Sequence, residues 1–132
     1  MNTNPNISQS LEDYLEAIYF LTRQNKGVRL TDVAQRLSLS KPSVNRAINT
    51  LKDKGLVIHE SYGLLSLTDS GLQLAKNIAK RHVLLKNFLK FLGVSENIAE
   101  EEACKIEHSL SADTIEKLKN HLYSQESFKE ES

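Results

Sequence analysis

Apolar side chains recur along this chain at two spacings, one helical and one alternating. Leu11, Leu15, Ile18 and Leu21 fall on a single stripe, which predicts a helix over Leu11–Arg23. Asp13 and Glu16 lie opposite that stripe, with Phe20 one turn further on. After a turn from Gln24 to Val28, residues Val33, Ala34 and Leu37 predict a short helix over Asp32–Leu37, capped by Thr31. Leu39 makes an apolar corner, and Ser40 caps the next helix. Pro42 sits in its first turn, where a missing N–H costs little. Val44, Ala47, Ile48 and Leu51 form the inward stripe of this helix, and Gly55 ends it.

The spacing then changes. Leu56-Val57-Ile58-His59 and Leu64-Leu65-Ser66-Leu67 are short β-prone runs around Ser61-Tyr62-Gly63, a hairpin signal. Thr68 caps a long helix to about Leu92, with Leu74, Ile78, Leu85, Phe88 and Leu89 on its apolar side and His82 among them. Gly93-Val94-Ser95 breaks it, and Ser95 opens a helix carrying Cys104 and His108. Ser111 caps a last helix with Ile115, Leu118 and Leu122 inward. The order helix, helix-turn-helix, hairpin is that of a winged helix-turn-helix. The expected fold is mainly α: a winged helix-turn-helix over residues 1–70, an all-helical domain over 71–124 and a polar tail over 125–132.

The reading helix leaves Lys41, Ser43, Asn45, Arg46 and Asn49 outward. A helical bundle without a ligand has no need of such a face. Ser40 to Asn49 would enter a DNA major groove, with Asn45 and Arg46 matching base edges by their forked donors and acceptors. Lys41, Lys52 and Lys54 would meet phosphates, and the hairpin around Tyr62 would follow the backbone. The candidate DNA-binding residues are Ser40, Lys41, Pro42, Ser43, Asn45, Arg46, Asn49, Lys52 and Tyr62.

A net charge of zero argues at first against nucleic acid. Its distribution reverses that. Between Arg29 and Lys54 the chain carries Arg29, Arg36, Lys41, Arg46, Lys52 and Lys54 against only Asp32 and Asp53, whereas Glu96, Glu100, Glu101, Glu102 and Glu107 gather behind. No apolar run is long enough to cross a membrane. A single cysteine excludes an internal disulfide and fits a reducing, cytoplasmic setting.

Ala103-Cys104-Lys105-Ile106-Glu107-His108-Ser109 carries the most distinctive chemistry. On a helix, Cys104, Glu107 and His108 share one face at i, i+3 and i+4. A thiolate, a carboxylate and an imidazole suit a divalent transition metal. Buried cysteine and surface Glu-His pairs are also common without a metal. By position alone Asp13 and Glu16 read as a solvated face and His82 as a packed core residue.

The arrangement resembles the family of metal-dependent transcriptional repressors that includes the diphtheria toxin repressor and the manganese transport regulator. The likeness runs from about Leu11 to Tyr123. It rests on Leu11-Glu12-Asp13-Tyr14-Leu15-Glu16-Ala17-Ile18-Tyr19, on Leu67-Thr68-Asp69-Ser70-Gly71, on Arg81-His82, and on Glu102 to Ser111. The resemblance implies metal ligands at Asp13, Glu16, His82, Cys104, Glu107 and His108. It also implies a homodimer on a palindromic double-stranded operator, with metal-uptake genes as targets.

By the same resemblance the sequence is a hybrid. Asp13 and Glu16 look like the manganese branch, and Cys104 like the iron branch. Lys86 stands where the iron branch has a carboxylate of a second site, and its ammonium would repel a cation unless Glu100 compensates. Fe²⁺ or Mn²⁺ is expected, one or two ions per subunit, with Co²⁺ or Zn²⁺ also suited to a thiolate. Phe88, Leu89, Phe91, Leu92, Ile115, Leu118 and Leu122 are the expected pairing surface. Two rival readings are a metal-independent winged-helix regulator that senses an organic ligand, with Cys104 in the core, and an enzyme using Cys104 and His108. The enzyme lacks a Gly-rich loop to build an oxyanion hole, so none is expected.

Overall fold

A computed structural model describes residues 7–24 and 27–124. The expected tail over 125–132, and Asn25 and Lys26 of the expected turn, lie outside the described residues. The elements are α1 (Gln9–Gln24), α2 (Leu30–Leu37), α3 (Lys41–Asp53), β1 (Val57–His59), β2 (Leu65–Leu67), α4 (Asp69–Phe91), α5 (Glu96–Ile106) and α6 (Ala112–Tyr123). The chain divides into two compact units, and the division falls inside α4, between Lys76 and Asn77. No helix among the described residues is long and apolar enough to cross a membrane.

In the first unit, α1, α2 and α3 pack together and a two-stranded antiparallel wing follows. The side chains that the periodicity turns inward are the core: Leu15, Ile18, Val33, Val44, Ile48 and Leu51 are fully buried. Ser40 caps α3, its Oγ accepting the Ser43 N–H at 3.3 Å, and Pro42 lies in the first turn. The start of α2 differs from the sequence expectation. Arg29, not Thr31, is its N-cap, because Asp32 reaches back to accept the Arg29 N–H at 2.8 Å. That bond satisfies an N–H just ahead of the first turn and moves the helix start two residues earlier.

The wing pairs Val57 with Leu67, Ile58 with Ser66 and His59 with Leu65. Val28 adds an isolated bridge to Leu65, so the segment before α2 is stitched to the hairpin. At the tip Gly63 has φ +98°, a left-handed conformation that glycine takes without strain, and a Cβ there would overlap the Arg29 guanidinium. Thr68 joins the wing to α4. Its hydroxyl donates to the Gly55 carbonyl at 2.7 Å and accepts the Gly71 N–H at 3.0 Å. Gly71 is buried so closely under the Leu56 carbonyl that a Cβ would collide with that oxygen.

In the second unit, Ser111 caps α6 by accepting the Thr114 N–H at 3.1 Å. Leu84 of α4 and Leu122 of α6 form a buried cluster with Phe88, Ile115 and Leu118 packed against it. Four of the residues expected to pair with a second copy (Phe88, Ile115, Leu118 and Leu122) thus also pack within the chain, Phe88, Ile115 and Leu118 only partly buried. An apolar stripe does not say whether its partner is intramolecular. Phe91 and Leu92 are exposed, at 45% and 63%.

Candidate metal centre and nucleic-acid interface

On α3 the inward stripe fixes which side chains face out. Val44, Ile48 and Leu51 are fully buried, so Lys41, Pro42, Asn45, Arg46, Asn49 and Lys52 are exposed, with Ser43 half-buried. The first turn is internally organised: the Ser40 hydroxyl is 3.0 Å from the Ser43 hydroxyl, and Arg46 Nη2 donates to Ser43 Oγ at 3.4 Å. This face can offer forked donors to base edges and cations to phosphates. Tyr62, at the wing tip, is 61% exposed. Its carbonyl accepts from Arg29 Nη1 at 2.8 Å, which ties the tip to the segment before α2. That tie is not visible in the sequence, where Arg29 reads only as one more cation.

Asp13 and Glu16 belong to the first unit, three residues apart on α1 and half-buried, which departs from a fully solvated face. Phe20 on the same helix is also half-buried, with the Arg36 guanidinium 5.4 Å above its ring.

In the second unit the structure brings together His82, Glu107 and His108. Glu107 is wholly buried. Its Oε1 lies 2.7 Å from His82 Nδ1 and its Oε2 3.2 Å from His108 Nε2. The first contact is a hydrogen bond, whereas the second lacks hydrogen-bond alignment. A carboxylate oxygen only accepts, so a ring nitrogen facing it must carry a proton or share a cation with it. A buried carboxylate flanked by two imidazoles is a donor set that a divalent transition metal fits, and the poorly aligned Oε2 leaves an acceptor for it.

The local route to this cluster differs from the expectation. α5 ends at Ile106, with Glu107 as its C-cap in right-handed helical geometry and its N–H bonded to the Ala103 carbonyl at 3.0 Å. Ala99 and Ala103 are the buried positions of α5, and Cys104 is exposed. The rival that placed Cys104 in the core is therefore not the arrangement seen.

Two further residues belong to the cluster. Glu100 Oε2 lies 2.9 Å from His82 Nε2, and Glu100 Oε1 lies 3.1 Å from Lys86 Nζ. Lys86 also reaches Glu96 at 3.5 Å, and Glu96 reaches Lys90 at 3.6 Å. Glu100 thus compensates Lys86. Burial pushes the Glu100 carboxyl up, but the Lys86 hydrogen bond and the His82 charge outweigh it and hold the carboxyl below its usual range. The Glu100 hydrogen bond raises the Lys86 ammonium against partial desolvation, helped by the charges of Glu100 and Glu96. The signal for Glu96 was present: Lys86 and Lys90, like Glu96 and Glu100, are spaced at i, i+4, giving two helix faces of opposite sign.

Both halves of the chain match one family. Residues 6–65 match the iron dependent repressor N-terminal DNA binding domain, and residues 68–127 match the iron dependent repressor metal binding and dimerisation domain. An uncharacterised HTH-type transcriptional regulator of Methanocaldococcus jannaschii is 42% identical over 115 residues, covering 86% of this chain and 92% of that protein. The HTH-type transcriptional regulator MntR of Lysinibacillus sphaericus is 36% identical over 109 residues, covering 83% and 78%. A manganese-dependent transcriptional repressor solved in complex with manganese superposes with a TM-score of 0.80 at 30% identity, over 87% of this chain and 53% of that one. The chain spans about half the length of that solved repressor. With a winged helix-turn-helix ahead of a helical unit that buries a carboxylate between two histidines, the chain belongs to the iron-dependent repressor family of transcriptional regulators.

Proposed function

We propose that this chain is a metal-responsive repressor that binds a palindromic double-stranded operator as a homodimer when loaded with a divalent transition metal. The observation that carries the reading is the buried Glu107 between His82 and His108, in a chain whose other unit exposes Asn45 and Arg46 on a reading helix. The ligands are Asp13 and Glu16 on α1 together with His82, Glu107 and His108, with Cys104 as the sixth candidate. Once bound, the ion supplies positive charge that relieves repulsion among the three carboxylates.

Asp13 and Glu16 ride on α1, which packs against α2 and α3. Whatever holds these two carboxylates therefore bears on the reading helix, and the second unit sets the partner copy. Coupling of this kind is worth about 1–3 kcal/mol. Exposed Phe91, Leu92 and Ile98 are apolar side chains of the second unit that a second copy could cover. The setting is the cytoplasm, and metal-uptake genes are the targets.

Oxygen donors and imidazoles suit Mn²⁺, and the Cys104 thiolate weights the set towards Fe²⁺, with Co²⁺ and Zn²⁺ next. Relatives carry several of these metals in their names: the superposed repressor is a complex with manganese, and ScaR was solved with bound Zn²⁺ at 31% identity. The deciding experiment is an operator titration with Mn²⁺, Fe²⁺, Co²⁺ or Zn²⁺, each against chelator. Affinity that rises with one metal and falls with chelator supports the reading. Equal affinity in every arm rejects it in favour of a metal-independent regulator.

A further inference from the structure

The metal reading assigns His82 as a ligand without saying which ring nitrogen coordinates. We propose that Glu100, anchored by Lys86, is the positioning residue that accepts the Nε2–H of His82 and leaves Nδ1, the nitrogen beside Glu107, as the coordinating atom. The inference rests on the metal-binding reading above and deepens it.

His82 is largely buried, and both ring nitrogens face carboxylates, Nδ1 at 2.7 Å from Glu107 and Nε2 at 2.9 Å from Glu100. The two carboxylates are not equivalent. Glu107 is wholly enclosed and also faces His108, so it belongs to the ligand cluster. Glu100 is 55% exposed and its other oxygen is already engaged by Lys86 at 3.1 Å. A carboxylate held by an ammonium is an anchored acceptor, suited to take a ring N–H and to fix the ring's rotation. Glu96 at 3.5 Å steadies Lys86 in turn, so the chain Glu96, Lys86, Glu100, His82 runs from the surface of α5 to the buried ring. An imidazole carries one N–H when neutral, and the partner that accepts it decides which nitrogen has the free lone pair.

The test uses the full chain labelled with ¹⁵N-histidine and titrated with Zn²⁺, which is diamagnetic, His82 signals being assigned by their loss in His82→Asn. The expected spectrum has Nε2 protonated and Nδ1 shifted by the metal. Calorimetry on folded Glu100→Ala is expected to show Zn²⁺ affinity lower by roughly 10–100-fold, the usual cost of losing an outer partner. Glu100→Gln, whose amide oxygen can still accept the N–H, recovers most of that loss, which a merely structural role for the charge would not give. Lys86→Met shows a smaller loss in the same direction. Zn²⁺ on Nε2, or Glu100→Ala binding as tightly as the wild type, overturns the inference while leaving the metal reading intact. A wild-type chain that gives no heat with Zn²⁺, Mn²⁺ or Co²⁺ overturns both.

Discussion

His82 of α4 and Glu107 at the end of α5, twenty-five residues apart in the chain, meet at 2.7 Å in a site where the carboxylate has no exposure to water. Burying that carboxylate opposes folding unless the charge it meets compensates. Stability and metal response should therefore separate at this position. In chelator, Glu107→Leu is expected to lose about 1–3 kcal/mol of stability, since the buried His82 ring is left without the acceptor it meets. With metal at a hundredfold over its dissociation constant, the wild type gains about 2.7 kcal/mol by linkage and the variant gains none. Thermal melts with and without metal check both halves.

The reading helix gives a second expectation. Arg46→Ala is expected to weaken operator binding by about 1–3 kcal/mol and to relax the preference for the wild-type sequence at one base pair. Lys52→Ala is expected to weaken all sequences alike and to lower the salt slope by about one. Fluorescence anisotropy on matched and mutated operators over a range of salt separates the two.

The Lys86–Glu100 pair sets a pH window. Glu100 titrates below its ordinary 4.5 and Lys86 above its ordinary 10.5. A depressed carboxyl stabilises the fold above its unfolded value and loses that contribution as pH falls through the folded one. A raised ammonium stabilises below its unfolded value and loses it as pH rises. In chelator, the stability difference between wild type and Lys86→Met is therefore largest between about pH 4.5 and 10.5 and closes on either side. With the Glu100 side chain more than half exposed, solvent screening keeps the difference under about 1 kcal/mol. Urea melts across the pH range measure it.

Gly71 is expected to tolerate no side chain. A methyl group would meet the Leu56 carbonyl oxygen, and overpacking of that kind costs about 1–3 kcal/mol. Gly71→Ala should lower the urea midpoint accordingly, whereas Gly55→Ala, with open space around its Cβ but φ +76°, reports only the backbone strain.

The proposed self-association surface gives a last expectation. Leu92 is exposed, while Leu122 is buried against Leu84. Leu92→Glu is expected to leave the monomer fold intact and to shift sedimentation towards the monomer. Leu122→Ala is expected to cost about 2–5 kcal/mol of stability.

What the sequence made legible was local. Ser40, Thr68 and Ser111 cap their helices as their spacing suggests, because a cap is decided within one turn. The winged helix-turn-helix followed from the change of hydrophobic period at Leu56. The cap of α2 was misplaced at Thr31 because Asp32 has the choice of helping a cap or being one. The centre was legible only in part. His82, Glu107 and Glu100 come from three separate turns, and their meeting depends on how α4 lies along α5, which no local pattern records. For the same reason the packing of Ile115 and Leu118 on Leu84 and Leu122 was not legible.

Three arginines of the first unit are spoken for by their own fold. Arg29 holds the Tyr62 carbonyl, Arg23 donates to the Tyr19 hydroxyl at 2.9 Å, and Arg36 lies over Phe20. A guanidinium tethered at one donor or one face keeps its charge and its remaining N–H groups, but its position is set by the fold. Long-range attraction draws on each of these charges wherever it is held, whereas close contact depends on where the fold holds it, so encounter rate and residence time should respond differently to substitutions at these positions.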